Sequence, residues 1–303
     1  ITAPVFSLLR LYAESLKATG AALTAVTLES LTSPLALLLV CAICWLAGKA
    51  LLALTLVATF ALSLMVTTVA MNDLLKRRLA QLPQTAPRTH DSGESVQAPQ
   101  ADLFYLWCTS VLGIAFLHLP FMLMPLYVDT AQIGVFAVAH KLINVITTLL
   151  LLLAALFGPA FARSAARRDP TELSGLLRRT QLISTAVFVP VSLALIGLAQ
   201  PLAGLFGEDF GNLQLYLAIL AAGYLFNAAT GLSGVLLNMA GVASRELLTL
   251  VIAFIAALAG SAWAGPEYGA TGLAVVFSGS IALKNIASYV LARHYLNSLR
   301  EQA

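Results

Sequence analysis

The chain has 303 residues, of which 59 % are apolar and only 10 % are charged, and its mean hydropathy is +0.89. Soluble chains carry roughly a quarter charged residues because their surfaces face water. The composition therefore excludes a soluble domain of this length and predicts an all-α polytopic membrane protein whose side chains face lipid or other helices. The three cysteines are too few for a disulfide framework.

Apolar runs predict about eight membrane-spanning helices. A helix needs about 20 apolar residues to cross a bilayer core of ~30 Å, and a first segment, 1–17, is typical of the end of a further helix. The predicted spans are 21–48, 50–72, 103–127, 131–159, 181–203, 213–240, 247–264 and 269–291.

The basic residues predict how these spans are oriented. If residues 1–20 lie in the cytoplasm and the spans alternate, all but three of the 17 Lys and Arg residues fall at or near the cytoplasmic side. The exceptions are Lys49, Lys141 and Lys284. This asymmetry follows the positive-inside rule, and adding or dropping one span would destroy it. We therefore predict a multi-pass protein with both ends of this chain in the cytoplasm.

A polar stretch divides the chain. Residues 81–100 are rich in Pro, Gln, Ser and Thr, and residues 73–102 are therefore predicted to form a cytoplasmic linker. It separates 1–72, with two spans, from 103–291, a six-helix set, which is followed by a cytoplasmic tail, 292–303. The order of elements in 1–72 recurs in 230–291, and such repeats are typical of transporters. The sequence thus predicts part of a two-lobe pseudo-symmetric transporter fold.

Four short motifs, each degenerate alone, carry a family resemblance through their order and spacing. They are GVFAVAHKL at 134–142, FGPAFAR at 157–163, LFGEDF at 205–210 and LLNMAG at 236–241. The chain resembles the bacterial polysaccharide (lipid-linked oligosaccharide) flippase branch of the multidrug/oligosaccharidyl-lipid/polysaccharide exporter (MOP) superfamily. The resemblance covers 103–291 well and 1–72 loosely.

The resemblance implies two lobes, with helices of the first lobe preceding residue 1. It implies a bacterial inner-membrane location and alternating access driven by an ion gradient. The expected partners are a lipid-linked oligosaccharide substrate, membrane lipids and other polysaccharide-assembly proteins.

Ionisable side chains within the hydrocarbon are costly and usually face a cavity or a partner. His140 and Lys141 lie near the middle of a predicted span, with Asn144 one turn on. They are candidates to hold the pyrophosphate of a lipid-linked sugar. Alternatively, Lys141 snorkels to the interface or pairs with a carboxylate. Lys284 lies within two turns of the cytoplasmic end of its span, where a cavity role and snorkelling are both open.

Other polar residues are candidates to line or gate a path. Tyr224 and Asn227 share one helix face and can receive sugar hydroxyls, although ordinary interhelical hydrogen bonds explain them equally. His118 lies among prolines in its span and is a gating candidate, although kinks are common in membrane helices. Glu29 is either a protonatable coupling site or a solvated carboxylate at the interface.

No sequence motif indicates an enzyme. The sequence has no phosphate loop, no zinc-binding HExxH motif and no hydrolase elbow. We therefore predict no catalytic residue, no metal, no cofactor and no nucleic-acid partner. The CxxC pair at Cys41 and Cys44 lies in an apolar helix and indicates packing.

Three functions remain to be compared. A drug/cation antiporter needs acidic residues within the membrane, and the predicted spans contain only Glu29. A membrane-embedded glycosyltransferase or polymerase needs paired carboxylates or a catalytic loop, and the outer loops are too short for one. The cations Lys141 and Lys284 favour an anionic substrate. The sequence therefore predicts a flippase for a polyprenyl-pyrophosphate-linked glycan, with the antiporter as the alternative.

Overall fold

The structure, a computed structural model, describes residues 2–19, 21–48, 53–81 and 100–302. Every regular element in these ranges is a helix, and no strand occurs in them. The chain divides into two compact units, residues 1–93 and 94–303. Each unit has its own core.

Within its described residues, the first unit is a bundle of three helices. They are α1 (Thr2–Ala18), α2 (Ala22–Leu46) and α3 (Ala53–Gln81). Leu9 and Ala13 of α1 are buried against Leu64 and Met71 of α3. The segment predicted as a helix end is therefore helical. Helix α3 also extends into the predicted linker, as far as Gln81, whereas linker residues 82–99 lie outside the described residues.

Within its described residues, the second unit contains seven helices and two short 3-10 turns. The turns are Met124–Leu126 and Glu208–Asn212. The helices are α4 (Gln100–Leu123), α5 (Thr130–Ala166), α6 (Pro170–Gly197), α7 (Ala199–Phe206), α8 (Leu213–Thr230), α9 (Ser233–Met239) and α10 (Ala243–Gln302).

Two aspartates fix where α5 and α6 begin. The side chain of Asp129 accepts a hydrogen bond from the backbone N–H of Gln132, and that of Asp169 accepts from Thr171 and Glu172. Such caps satisfy N–H groups that have no partner within the helix. Because α5 runs on to Ala166, only a three-residue turn separates it from α6. Of the five arginines between residues 161 and 180, Arg163 therefore lies in α5, Arg178 and Arg179 lie in α6, and the other two lie in the turn.

Helix α10 is a hairpin of two antiparallel arms. Its 60 residues would extend about 90 Å as one straight helix. Gly269 interrupts it with φ +52° and ψ −138°, a conformation that glycine adopts without steric cost. Beyond Gly269 the chain folds back, so that the Thr249 and Ser288 hydroxyls lie 3.0 Å apart. The arms are residues 243–268 and 270–302.

This hairpin reconciles the helices with the predicted spans. Seven helices in the described ranges are long and apolar enough to cross a membrane, and α10 is counted once among them. Its two arms coincide with two predicted spans, so the prediction of about eight crossings is confirmed. Large apolar side chains such as Trp45, Leu54 and Leu151 remain exposed, as expected for surfaces that face lipid.

Two apolar clusters form the core of the second unit. Phe136, Phe188, Tyr216 and Phe277 belong to the first cluster. The second includes Phe161, Leu177, Leu236 and Leu296. In three stretches of the chain, residues of the first cluster come first in the sequence, a polar segment follows, and residues of the second cluster come last. These stretches are α5, α8 with α9, and the second arm of α10. These three polar segments meet at the cavity described next.

Candidate functional site

A cavity of about 430 Å³ lies within the second unit, between the two apolar clusters. Helices α4, α5, α8, α9 and α10 all contribute to its wall. Its polar lining consists of Asn144, Thr147, Thr148, Tyr224, Asn227, Asn238, Glu246, Lys284 and Asn285. A polar pocket inside an apolar helical bundle is the usual form of a substrate or ion site in a membrane protein.

A buried ion pair forms part of this wall. Glu246, in the first turn of α10, pairs through Oε1 with Nζ of Lys284 on the opposite arm. The two side chains are 4 % and 21 % exposed. The Ser288 hydroxyl donates to Oε2 of Glu246 at 2.6 Å. A buried pair persists only where further hydrogen bonds satisfy its remaining lone pairs, and Ser288 supplies one here.

The carboxylate of Glu246 fits because α9 carries a glycine opposite to it. A Cβ atom built on Gly234 would lie 2.5 Å from Oε1 of Glu246, inside van der Waals contact. Any side chain at this position would require the carboxylate of Glu246 to shift. The sequence therefore provides both the ion pair and the space for it.

An interrupted helix borders the same cavity. Helix α8 ends at Thr230, and α9 begins at Ser233, with Gly231 at φ +63° between them. The Ser184 hydroxyl of α6 donates to the Ala228 carbonyl at 2.6 Å, near this break. Broken helices inside a membrane are tolerated where they are buried in protein or line a cavity, and in transporters they often border the binding site.

The structure brings four of the sequence-predicted site residues together. Asn144 of α5, Tyr224 and Asn227 of α8, and Lys284 of α10 all line the cavity. The sequence placed them on three spans without relating those spans in space. Helix packing gives them a common wall, although their roles stay predictions.

His140 lies outside the cavity lining, in an aromatic cage. Its ring centroid is 5.2 Å from that of Phe121, 5.9 Å from Phe136 and 5.8 Å from Phe277. Asn144 donates to Nδ1 of His140 at 3.1 Å, and Nε2 has no partner among the described residues. His140 thus lies outside the cavity and holds the side chain of Asn144, which lines it.

Lys141 and His118 do not line this cavity either. Both side chains are exposed. Successive residues of a helix are about 100° apart, so Lys141 turns away from the core when its neighbour His140 faces inward. Lys284 does line the cavity, but Glu246 neutralises its charge. The expectation of two free cations at one site therefore finds no support in this geometry.

Glu29 belongs to the first unit and is also ion-paired. Its carboxylate lies 3.6 Å from Nε of Arg10 and 3.5 Å from Nζ of Lys17. Its side chain is 19 % exposed, so it is less accessible to solvent than an interfacial carboxylate would be. The two basic residues of α1 provide its partners.

Sequence reasoning missed Glu246. The predicted span began at 247, which left Glu246 in a loop beside Arg245, whereas the structure places it in the first turn of α10 and buries it. A signal was present in the helical spacing of Glu246, Leu250, Ala253 and Ala257, all of which are buried. This spacing places the carboxylate on the packed face of the helix.

Comparisons with known proteins give a fold and no close relative. No protein-family model matches the sequence, and no curated protein matches it. Among solved structures, a point mutant of the Vibrio cholerae MATE transporter VcmN matches 96 % of this chain and 66 % of its own length, with a TM-score of 0.76 and 16 % identity. A MATE transporter in complex with MaL6 matches 97 % of this chain and 67 % of its own length, with a TM-score of 0.76 and 15 % identity.

A third solved structure belongs to an archaeal protein. It is a MOP superfamily transporter from Pyrococcus furiosus, which matches 80 % of this chain and 57 % of its own length, with a TM-score of 0.65 and 14 % identity. Its reverse polarity of the binding pocket has been taken to suggest a different function for that protein.

These comparisons bear on the predicted superfamily in two ways. The chain spans about two thirds of the length of the first two matched structures. The matches are transporters rather than enzymes, and they do not single out the polysaccharide flippase branch. At identities of 13–16 % the similarity shows the fold alone. The chain has the fold of the corresponding two thirds of a MATE transporter of the MOP superfamily.

Proposed function

We propose that this chain forms part of an ion-coupled exporter of the drug/cation antiporter type. The observation that carries the proposal is Glu246, a buried carboxylate in the wall of the polar cavity. The sequence favoured an anionic substrate because the predicted spans offered Lys141 and Lys284 without a matching acid. In the folded unit the acid is present and Lys284 is its partner.

One carboxylate suits cation exchange for an electrostatic reason. A buried carboxylate is stable only with a positive partner or a proton. A substrate cation and a coupling ion that both need Glu246 therefore exclude each other, which is the basic requirement of antiport. Lys284 serves as the resident cation when neither is bound. Its long side chain allows the ammonium group to leave and return without movement of the helix.

A second candidate function rests on the amide groups of the same cavity. Asn144, Asn227 and Asn285, together with Tyr224, can donate to and accept from sugar hydroxyls. This lining suits the lipid-linked glycan flippase that the sequence predicted. The paired charges at Glu246 and Lys284 leave no free cation in the described lining to hold a pyrophosphate.

Transport by the reconstituted full-length protein tests the proposal. Vesicles containing the protein are loaded with ethidium, and efflux is followed under an imposed proton or sodium gradient. We expect gradient-driven efflux that Glu246→Gln lowers by roughly thirtyfold, since losing one partner of a buried charged pair costs about 2 kcal/mol or more. The matched control is Glu301→Gln, an exposed acid at the end of the same helix, which should leave efflux unchanged.

The same vesicles distinguish the two candidates. Absence of ethidium efflux under either gradient, together with translocation of a polyprenyl-pyrophosphate-linked sugar, would overturn the antiporter proposal in favour of the flippase. Ethidium efflux that is insensitive to Glu246→Gln would overturn the assigned role of Glu246.

A further inference from the structure

Three arginines converge on a second cavity, away from the polar site. This cavity, of about 500 Å³, lies between α6 and the second arm of α10. Arg178 of α6 lines it together with Arg293 and Arg300 of α10, and Thr171, Ser174 and Gln181 complete its polar surface. We call it the arginine cavity.

Among the residues that the structure describes, the charge of the arginine cavity has no internal counter-charge. In the ranges that the structure describes, none of its three arginines forms an ion pair with a carboxylate, and no acidic side chain lines it. Arg300 contacts the Ser174 hydroxyl at 3.5 Å, and the Arg293 guanidinium lies 5.9 Å from the centre of the Tyr289 ring. Three like charges around one space repel each other unless an anion joins them.

Guanidinium groups select the chemistry of that anion. Their planar fork of N–H donors matches the oxygens of a phosphate group. Ser174 lies at the same cavity, where its hydroxyl donates to the Thr171 carbonyl and accepts from Arg300. A phosphate-bearing ligand is therefore the class that fits.

Exposed apolar residues next to the arginines indicate that the phosphate belongs to a lipid. Leu182 lies one turn beyond Arg178 on α6 and is 63 % exposed. On α10, Val290 and Ile286 lie three and seven residues before Arg293, and both are exposed. Residues at these spacings share a helix face. The faces that carry Arg178 and Arg293 thus continue into apolar surfaces, and these two arginines lie two or three residues outside the predicted spans, where lipid headgroups are expected.

We propose that the arginine cavity binds the headgroup phosphate of an anionic phospholipid, whose acyl chains lie along the apolar surface formed by Leu182, Ile286 and Val290. Basic pockets between membrane helices are suited to such headgroups. A free phosphate ion would use the same guanidinium groups but would leave the apolar surface without a role. This site is separate from the substrate cavity, so the lipid-binding proposal can be tested independently of the antiporter proposal.

Native mass spectrometry of the purified, delipidated full-length protein tests the site with phosphatidylglycerol and phosphatidylcholine as probes. We expect phosphatidylglycerol to bind more tightly than phosphatidylcholine. Each of Arg178→Gln, Arg293→Gln and Arg300→Gln should weaken phosphatidylglycerol binding roughly fivefold, and the triple variant by about a hundredfold. The matched control replaces Arg163, Arg167 and Arg179 with Gln. These arginines are exposed but do not line the cavity, and their loss should change binding less than twofold.

Three results would overturn the proposal. Equal weakening in the control triple variant would show that surface charge alone attracts the lipid. Equal affinity for phosphatidylcholine would show that the cavity does not prefer an anionic headgroup to a zwitterionic one. Displacement of phosphatidylglycerol by millimolar inorganic phosphate would assign the cavity to the free ion instead. If the triple variant does not fold, unchanged binding in the three single variants would overturn it equally.

Discussion

Oε1 of Glu246 and Nζ of Lys284 join the two arms of α10 far from the turn at Gly269 that connects them. Ser288 and Thr249 extend this link, because Ser288 donates to the carboxylate and the two hydroxyls lie 3.0 Å apart. The hairpin is therefore closed at both ends, covalently at Gly269 and by a polar network at the cavity. Any ligand that competes for Glu246 also acts on the packing of the two arms.

The strength of this link can be measured by a double-mutant cycle. Glu246→Gln or Lys284→Met alone leaves a buried charge without its partner, and each should lower the free energy of unfolding by about 3–5 kcal/mol. The double variant leaves neither charge and should be more stable than either single variant. Unfolding of the full-length protein in detergent, followed by helical circular dichroism, provides these values.

The exposed pair Asp73 and Arg77 serves as the control for this cycle. These residues form an ion pair on the surface of α3, where their side chains are 58 % and 72 % exposed. The same cycle at this pair should give a coupling below about 1 kcal/mol. A coupling at Glu246 and Lys284 that is no larger would contradict a tight buried pair.

Gly234 is predicted to be intolerant of even one methyl group. The Cβ atom of Gly234→Ala would lie 2.5 Å from Oε1 of Glu246 and would push the carboxylate out of place. We expect a loss of about 1–3 kcal/mol of stability, typical of overpacking, together with a loss of transport. Gly134→Ala on α5 is the control, because a Cβ there meets nothing within 4 Å. A helix-interior alanine should stabilise that position by up to about 1 kcal/mol.

His140 is predicted to act through packing rather than chemistry. Its ring sits among Phe121, Phe136 and Phe277, and its Nε2 lacks a partner among the described residues. His140→Phe should therefore preserve the melting temperature and at least half of the transport rate, because an aromatic ring fills the same cage. His140→Ala should lower the melting temperature by several degrees through the cavity it leaves. Loss of transport in a well-folded His140→Phe protein would show that His140 has a role in transport beyond packing.

Lys141 and Lys284 should respond differently to the same substitution. Lys141 is exposed and does not line the cavity, so Lys141→Ala should change the transport rate less than twofold. Lys284→Ala removes the partner of Glu246 and should alter both stability and transport. Initial rates of ethidium efflux, normalised to the amount of folded protein, compare the two variants. Equal losses would show that Lys141 contributes to the path after all.

The fold was largely predictable because membrane helices are encoded locally. Apolar length and charge asymmetry indicated eight crossings, and the two arms of α10 match two of them. The sequence also identified Asn144, Tyr224, Asn227 and Lys284 as polar residues that need partners. Their common wall depends on which helix faces meet, and no property of a single span encodes that.

The error at Glu246 has a physical cause. A hydropathy window ends a span where charge begins, whereas α10 continues past Arg245 to Ala243. A carboxylate in a first turn is favoured by the helix dipole, which offsets part of the cost of its burial. The partner, Lys284, lies on the other arm of the hairpin, where sequence spacing does not reveal it.

The sign of the charge that the cavity accepts is the most direct test of the proposed function. Binding of tetraphenylphosphonium, an organic cation, is measured by equilibrium dialysis on the full-length protein and on two variants that fold. Lys284→Gln leaves Glu246 without its resident cation and should tighten binding, whereas Glu246→Gln should abolish it. The opposite order, with binding lost in Lys284→Gln and retained in Glu246→Gln, would contradict the antiporter proposal.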